Sequence, residues 1–84
     1  MEIKVLGPGC ARCHALDKAV RETIKDMGIE ANLEYVQDMQ KILEYPILAT
    51  PALVVNGEVA CSGRVPGKDE ITRMIKTGLA RESK

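Results

Sequence analysis

The chain has 84 residues, with 12 Lys and Arg set against 12 Asp and Glu, three cysteines, no Phe or Trp, and Tyr35 and Tyr45 as its tyrosines. Zero formal charge with the two signs interspersed argues against the basic stripe of a nucleic-acid binder, and no segment approaches the ~18 consecutive apolar residues of a membrane span. A chain this short fits one domain, residues 1–84, whose core must be packed from Leu, Ile, Val and Ala.

The opening residues, Met1 to Leu6, lack the basic region followed by a long apolar run that marks an export signal. They read as a short strand, and a cytoplasmic location is the default. Gly7-Pro8-Gly9 ends that strand. From Ala11 to Met27 the pattern turns helical: Leu16, Val20, Ile24 and Met27 recur on one face. Asp17 before Arg21 and Lys18 before Glu22, each pair four apart, suggest an exposed opposite face. Gly28 suits the left-handed position that ends a helix.

Ala31, Leu33 and Tyr35 alternate with Glu30, Asn32 and Glu34, as in a strand with one wet face near a sheet edge. Asp38 is placed to cap a short helix carrying Met39, Ile42 and Leu43. Thr50-Pro51 precedes the apolar run Ala52 to Val55, and Asn56-Gly57 is a strong hairpin signal that returns Glu58 to Cys61 as the paired strand, with Val59 and Cys61 on one face. After Gly63 and Pro66, Asp69 and Glu70 open a last helix at its electropositive end. Its buried stripe is Ile71, Met74, Ile75 and Leu79, and residues 80–84 read as a polar, frayed tail. The expected fold is α/β, β-α-β-α-β-β-α, with a four-stranded mixed sheet flanked by helices. Its first strand–helix–strand unit is parallel.

The chemistry concentrates at Cys10-Ala11-Arg12-Cys13. An odd number of cysteines without an export signal does not suggest a structural disulfide framework; a close pair is then more often catalytic or metal-binding. Cys10 falls at the start of the helix, where free backbone N–H groups and the helix dipole favour thiolate over thiol. Thiolate is the nucleophile of disulfide exchange. The three-residue step returns Cys13 to the same side, where it can resolve a mixed disulfide. Arg12, His14 if protonated, and Arg64 are candidates for tuning that thiolate.

Gly7-Pro8-Gly9-Cys10-Ala11-Arg12-Cys13, a helix, and then Thr50-Pro51-Ala52-Leu53-Val54-Val55-Asn56-Gly57 resemble the small thioredoxin/glutaredoxin-like redox proteins of archaea and bacteria. The matching order of elements covers nearly the whole chain. The resemblance implies the thioredoxin-like fold and a protein-disulfide oxidoreductase with Cys10 as nucleophile and Cys13 as resolving thiol. It implies a cis peptide before Pro51, with Thr50, Pro51 and Gly63 lining the substrate groove beside the cysteines. It also implies disulfide-containing target proteins, a thioredoxin-reductase-like or other thiol electron donor, no cofactor or metal, and a monomer. The sequence departs from the standard thioredoxin motif in three places. Gly9 stands where a Trp is usual, Ala11-Arg12 fills the gap between the cysteines, and Lys4 falls at the first-strand position of a buried acid.

Other chemistries share the spacing. Small metal-chaperone domains also begin strand, Cys-x-x-Cys, helix, although two thiolates fall short of a closed zinc site. Cys10 to His14 also spells the c-type haem attachment motif, which normally goes with export. A redox-sensing interaction module with the same fold is a third possibility. For individual residues the plainer readings are a solvent-facing His14, a solvated Arg64, and a Cys61 that packs as a small buried hydrophobe.

Overall fold

The computed structural model of the protein describes residues 1–47 and 49–82. Along the chain, β1 (Glu2–Leu6), α1 (Ala11–Met27), β2 (Asn32–Val36), α2 (Met39–Ile42), β3 (Ala52–Val55), β4 (Glu58–Ser62) and α3 (Lys68–Glu82) follow one another. The strands form one mixed sheet in the order β2-β1-β3-β4. β2 runs parallel to β1, which places Val5 beside Tyr35, while β3 lies antiparallel to both β1 and β4. The sequence explains that order. Every residue of β3 is buried, as a central strand requires, whereas β2 alternates and takes an edge.

Alternation along β1 and β3 splits the core in two. Ile3, Val5, Leu53 and Val55 face α1 and α3 and pack with Leu16, Val20, Ile71 and Ile75. Leu6, Ala52 and Val54 point the other way and pack with Val36 and Ile42. α1 keeps the bounds its apolar spacing suggests. It is capped by Cys10 and ends on Gly28 at φ 66°, whose N–H bonds back to Ile24 and Lys25 carbonyls. Its inner face differs in detail: Thr23 is buried and bonds the Ala19 carbonyl at 2.7 Å, while Ile24 and Met27 are only partly covered. Asp38 caps α2 through the Gln40 N–H at 2.9 Å, yet Met39 and Leu43 are exposed and Ile42 alone is buried. The hairpin turns on Asn56 (φ 50°) and Gly57 (φ 84°), the paired positive values of a type I′ turn.

Two expectations fail here for physical reasons. Val59 and Cys61 lie on opposite faces, because Leu53 pairs with Cys61 and Val54 with Val59, which leaves Ala60 as a bulge. Cys61 therefore joins the core beneath α1 and α3, and Val59 packs on the other side. The last helix also continues through Ala80, Arg81 and Glu82 rather than fraying there. Arg81 pairs with Glu58, and Glu82 lies 3.5 Å from the N-terminal ammonium. Ser83 and Lys84 are outside the described residues. Gly78 is the buried residue of that final stretch, since a Cβ there would meet Val55 Cγ1 at 2.6 Å.

Ile75 is fully buried between α3 and the sheet. Ile75→Ala is expected to cost about 2–5 kcal/mol, lowering Tm by roughly 4–8 °C per kcal/mol for a domain this size. A urea or thermal melt reads this directly, and a loss under about 0.5 kcal/mol, the range of ordinary surface changes, would contradict the packing.

Candidate active site

The site grows from the end of β1. Gly7 donates its N–H to the Val36 carbonyl at 3.0 Å, completing the β1–β2 ladder just before the chain leaves the sheet. Gly9 then takes φ 104°, a conformation that L side chains rarely adopt, and it delivers Cys10 to the helix N-cap at φ −72°, ψ 169°. A bulky Trp in place of Gly9 would be strained there. The Cys10 carbonyl accepts from His14 N–H at 3.0 Å, and its sulfur accepts from Cys13 N–H at 3.4 Å. The first turn of α1 carries no acidic residue to oppose a negative charge at that end.

The two thiols differ sharply in surroundings. Cys10 is exposed and Cys13 is buried at 0% exposure. Their sulfurs are 2.7 Å apart, inside van der Waals contact and longer than the ~2.05 Å of a disulfide bond. The Cys13 thiol beside Cys10 lowers the Cys10 pKa below that of an ordinary thiol, followed by the Cys13 backbone N–H; desolvation opposes them and outweighs the further help of the Arg12 backbone N–H. Burial raises the pKa of Cys13, and its hydrogen bond to Cys10 pushes the same way. The Cys10 sulfur therefore favours the thiolate form and the Cys13 sulfur the protonated form. The alkylation rate of Cys10 should accordingly level off at a lower pH than that of an unperturbed thiol, such as a cysteine in a short unstructured peptide. Iodoacetamide trapping across pH 5–10, read by mass spectrometry, measures this; a midpoint at or above the unperturbed value would contradict it.

The other residues singled out by sequence fall in two groups. The Thr50–Pro51 peptide is cis, and Pro51 is buried. Gly63 donates to the Pro51 carbonyl at 2.8 Å, and its own carbonyl accepts from Arg12 Nη2 at 3.4 Å. The structure thus links the turn between the cysteines, the end of β4 and the Thr50–Pro51 loop. Arg12 helps Cys10 through its backbone N–H, while its guanidinium is directed to Gly63. Arg64 is turned elsewhere: it pairs with Glu70 at 2.8 Å, and the thiol that its charge acts on is Cys61. The Cys61 pKa is raised, chiefly by burial. His14 is exposed and sets its ring edge-on to Tyr35, centroids 5.5 Å apart. Lys4, on the face of β1 away from α1, bonds the Tyr45 hydroxyl at 3.3 Å, which raises the Lys4 pKa.

Two neighbours of Cys13 go unnoticed in the sequence. Asp17 belongs to the apparent outer face and does pair with Arg21 at 2.9 Å, yet its side chain is only 16% exposed. Tyr35 reaches in from β2 with its hydroxyl buried. The i, i+4 spacing from Cys13 to Asp17 was the available signal. Among the described residues, no group of three or more His, Cys, Asp or Glu could hold a metal ion, and no helix is long and apolar enough to cross a membrane.

Residues 1–76 match the family model of the thioredoxin domain. The chain belongs to the thioredoxin family. It is 43% identical over 75 residues to a thioredoxin of Methanothermobacter thermautotrophicus, covering 89% of this chain and 97% of that one. It is also similar to two thioredoxins of Methanocaldococcus jannaschii. One is 36% identical over 75 residues (86% of this chain, 87% of the other), and the second is 27% identical over 77 residues (92% and 88%). The thioredoxin-like fold and the apposed cysteine pair agree with that membership, and the protein is a thiol–disulfide oxidoreductase.

Proposed function

We propose that the protein, a single thioredoxin-like domain, reduces protein disulfides by a two-step exchange with Cys10 as nucleophile and Cys13 as resolving thiol. The asymmetry of the pair carries this reading: an exposed sulfur at a helix N-terminus with a lowered pKa, and a buried sulfur 2.7 Å away with a raised one. The Cys10 thiolate attacks one sulfur of a target disulfide, forming a mixed disulfide and releasing the other target sulfur as thiolate. Cys13 then loses its proton and attacks Cys10. The Cys10–Cys13 bond forms, the bond to the target breaks, and the target leaves with two electrons more than it had.

The Thr50–Pro51 loop and Gly63 supply the recognition edge for an extended stretch of target. Pro51 offers no N–H there, and Arg12 reaches across to Gly63. The cycle closes when a thioredoxin-reductase-like enzyme or another thiol donor reduces the disulfide. The protein needs no cofactor or metal of its own, acts as a monomer and works in the cytoplasm. Incubation of the reduced protein with a disulfide-bonded protein tests the reading. Peptide mapping is expected to show one new Cys10–Cys13 disulfide per target disulfide reduced, with Cys61 still a thiol. A bond to Cys61, or oxidation without target reduction, would overturn it.

A further inference from the structure

Among the described residues, two buried side-chain oxygens have no hydrogen-bond partner: Asp17 Oδ1 and the Tyr35 hydroxyl. A buried polar atom left alone is costly and calls for an explanation. Here Tyr35 ties the two together, because both Cys13 and Asp17 act on its hydroxyl. Asp17 is four residues beyond Cys13 on α1, one turn along the same face. Its Oδ2 is held by Arg21 at 2.9 Å, which leaves Oδ1 turned inward. Tyr35 is paired with Val5 on β1, two residues before the Gly7 against which the Cys13 sulfur packs. Its ring is braced by the edge of His14.

We propose that Tyr35 and Asp17 form the proton path that activates Cys13 in the second step of exchange. Cys13 gives its thiol proton to the Tyr35 oxygen as the Tyr35 hydroxyl passes its own proton to Asp17 Oδ1. The Cys13 sulfur then bonds to Cys10, the Cys10–target bond breaks, and the departing target thiolate takes up a proton from solvent. Asp17 returns its proton to solvent before the next cycle, so no oxidant or reductant beyond the target disulfide is required.

The electrostatics agree with this geometry. Burial raises the Tyr35 pKa, and the charges of Cys13, Cys10 and Asp17 raise it further, so the residue stays a phenol able to donate and accept. The raised pKa of Cys13 means that it has no appreciable thiolate of its own at neutral pH and needs an acceptor. Cys10 at the helix N-cap and Cys13 and Asp17 from α1 act on Tyr35 of β2, His14 meets its ring, and Arg21 holds Asp17. Lys4 of β1 is committed to Tyr45 on the opposite face.

The inference rests on Cys13 being the resolving thiol, and the test separates the two. The reduced full-length protein, carrying Cys61→Ala to remove the third thiol, is mixed with the coloured disulfide 5,5′-dithiobis(2-nitrobenzoate). Attack by Cys10 releases one equivalent of chromophore in a concentration-dependent phase. Attack by Cys13 releases the second in a concentration-independent phase. Tyr35→Phe, which keeps the ring against His14, and Asp17→Asn are each expected to slow the second phase at pH 7 by about tenfold or more, because positioned proton transfer contributes roughly 10²–10⁴-fold. Both leave the first phase within about twofold, and the double variant is no slower than the slower single one. The deficit shrinks as pH rises and hydroxide replaces the path. A second phase at the parental rate in both variants overturns the proposal, as does equal slowing of both phases with no recovery at high pH. Cys13→Ser with Cys61 retained is the check on the role of Cys13 itself: a second equivalent still released in a concentration-independent phase would assign resolution to Cys61 and overturn that role.

Discussion

Cys10→Ser is expected to abolish disulfide reduction, while Cys13→Ser keeps the first attack and stalls with target proteins bound through Cys10. A Ser hydroxyl at position 10 has no base beside it and is no nucleophile at neutral pH, so activity should fall to the uncatalysed background. At position 13 the outcome depends on what replaces the thiol. The largest effect lowering the Cys10 pKa is the neighbouring Cys13 side chain, ahead of the backbone N–H groups of Cys13 and Arg12. Ser keeps a donor there and Ala does not. Removing the donor raises the Cys10 pKa, which lowers the thiolate fraction at pH 7, each pKa unit being worth about tenfold below the midpoint. Cys13→Ala should therefore alkylate at Cys10 more slowly than Cys13→Ser, with wild type fastest, and the three should converge above pH 10. Non-reducing gels of cell lysate show the stall as covalent adducts with Cys13→Ser. The same adducts from Cys10→Ser, or residual turnover in Cys10→Ser near wild type, would reverse the assignment of roles.

The parts of the fold that depend on local chemistry were legible in the sequence. The apolar spacing of Leu16 and Val20 and the stop at Gly28 bound α1, and Asn56-Gly57 dictates the hairpin because both residues tolerate positive φ. The site was legible as a pair for the same reason: Cys10 and Cys13 are neighbours along one helical turn. What depended on register or on contact across the fold was not. The bulge at Ala60 changes which face Cys61 occupies, and nothing in Glu58 to Ser62 announces it. Asp17 reads as a surface partner of Arg21, and that ion pair does form, yet its other oxygen is buried in the folded chain. Arg64 looked near enough to tune Cys10, but Glu70 of α3 captures it. Gly7 reads as loop punctuation, whereas the Cys13 sulfur fills the space that a side chain there would need.

Gly7→Ala is expected to damage stability and catalysis together. A Cβ at position 7 would collide with Cys13 Sγ and sit 2.8 Å from Cys13 Cβ. Neither is the free end of a long side chain, so relief requires moving the first turn of α1 or the end of β1. Overpacking of this kind costs about 1–3 kcal/mol, a sizeable share of the ~5–15 kcal/mol typical of a whole domain. The displaced atom is also the sulfur that the proposed second step of exchange uses. Pushing the Cys13 sulfur away lengthens its 2.7 Å approach to Cys10, weakens the donor that lowers the Cys10 pKa, and slows attack on the mixed disulfide. Gly28→Ala is the control. Its Cβ would meet nothing within 4 Å, but the residue sits at φ 66° at the far end of α1, so it should lose roughly 1–2 kcal/mol from backbone strain with exchange rates unchanged. A urea melt and the two-phase chromophore assay on both variants separate the effects. Gly7→Ala matching Gly28→Ala in the second phase would mean that the thiol tolerates displacement. A specific slowing in Gly7→Ala would show that the strand must end on a residue without a side chain, because the space a side chain would take belongs to the Cys13 sulfur.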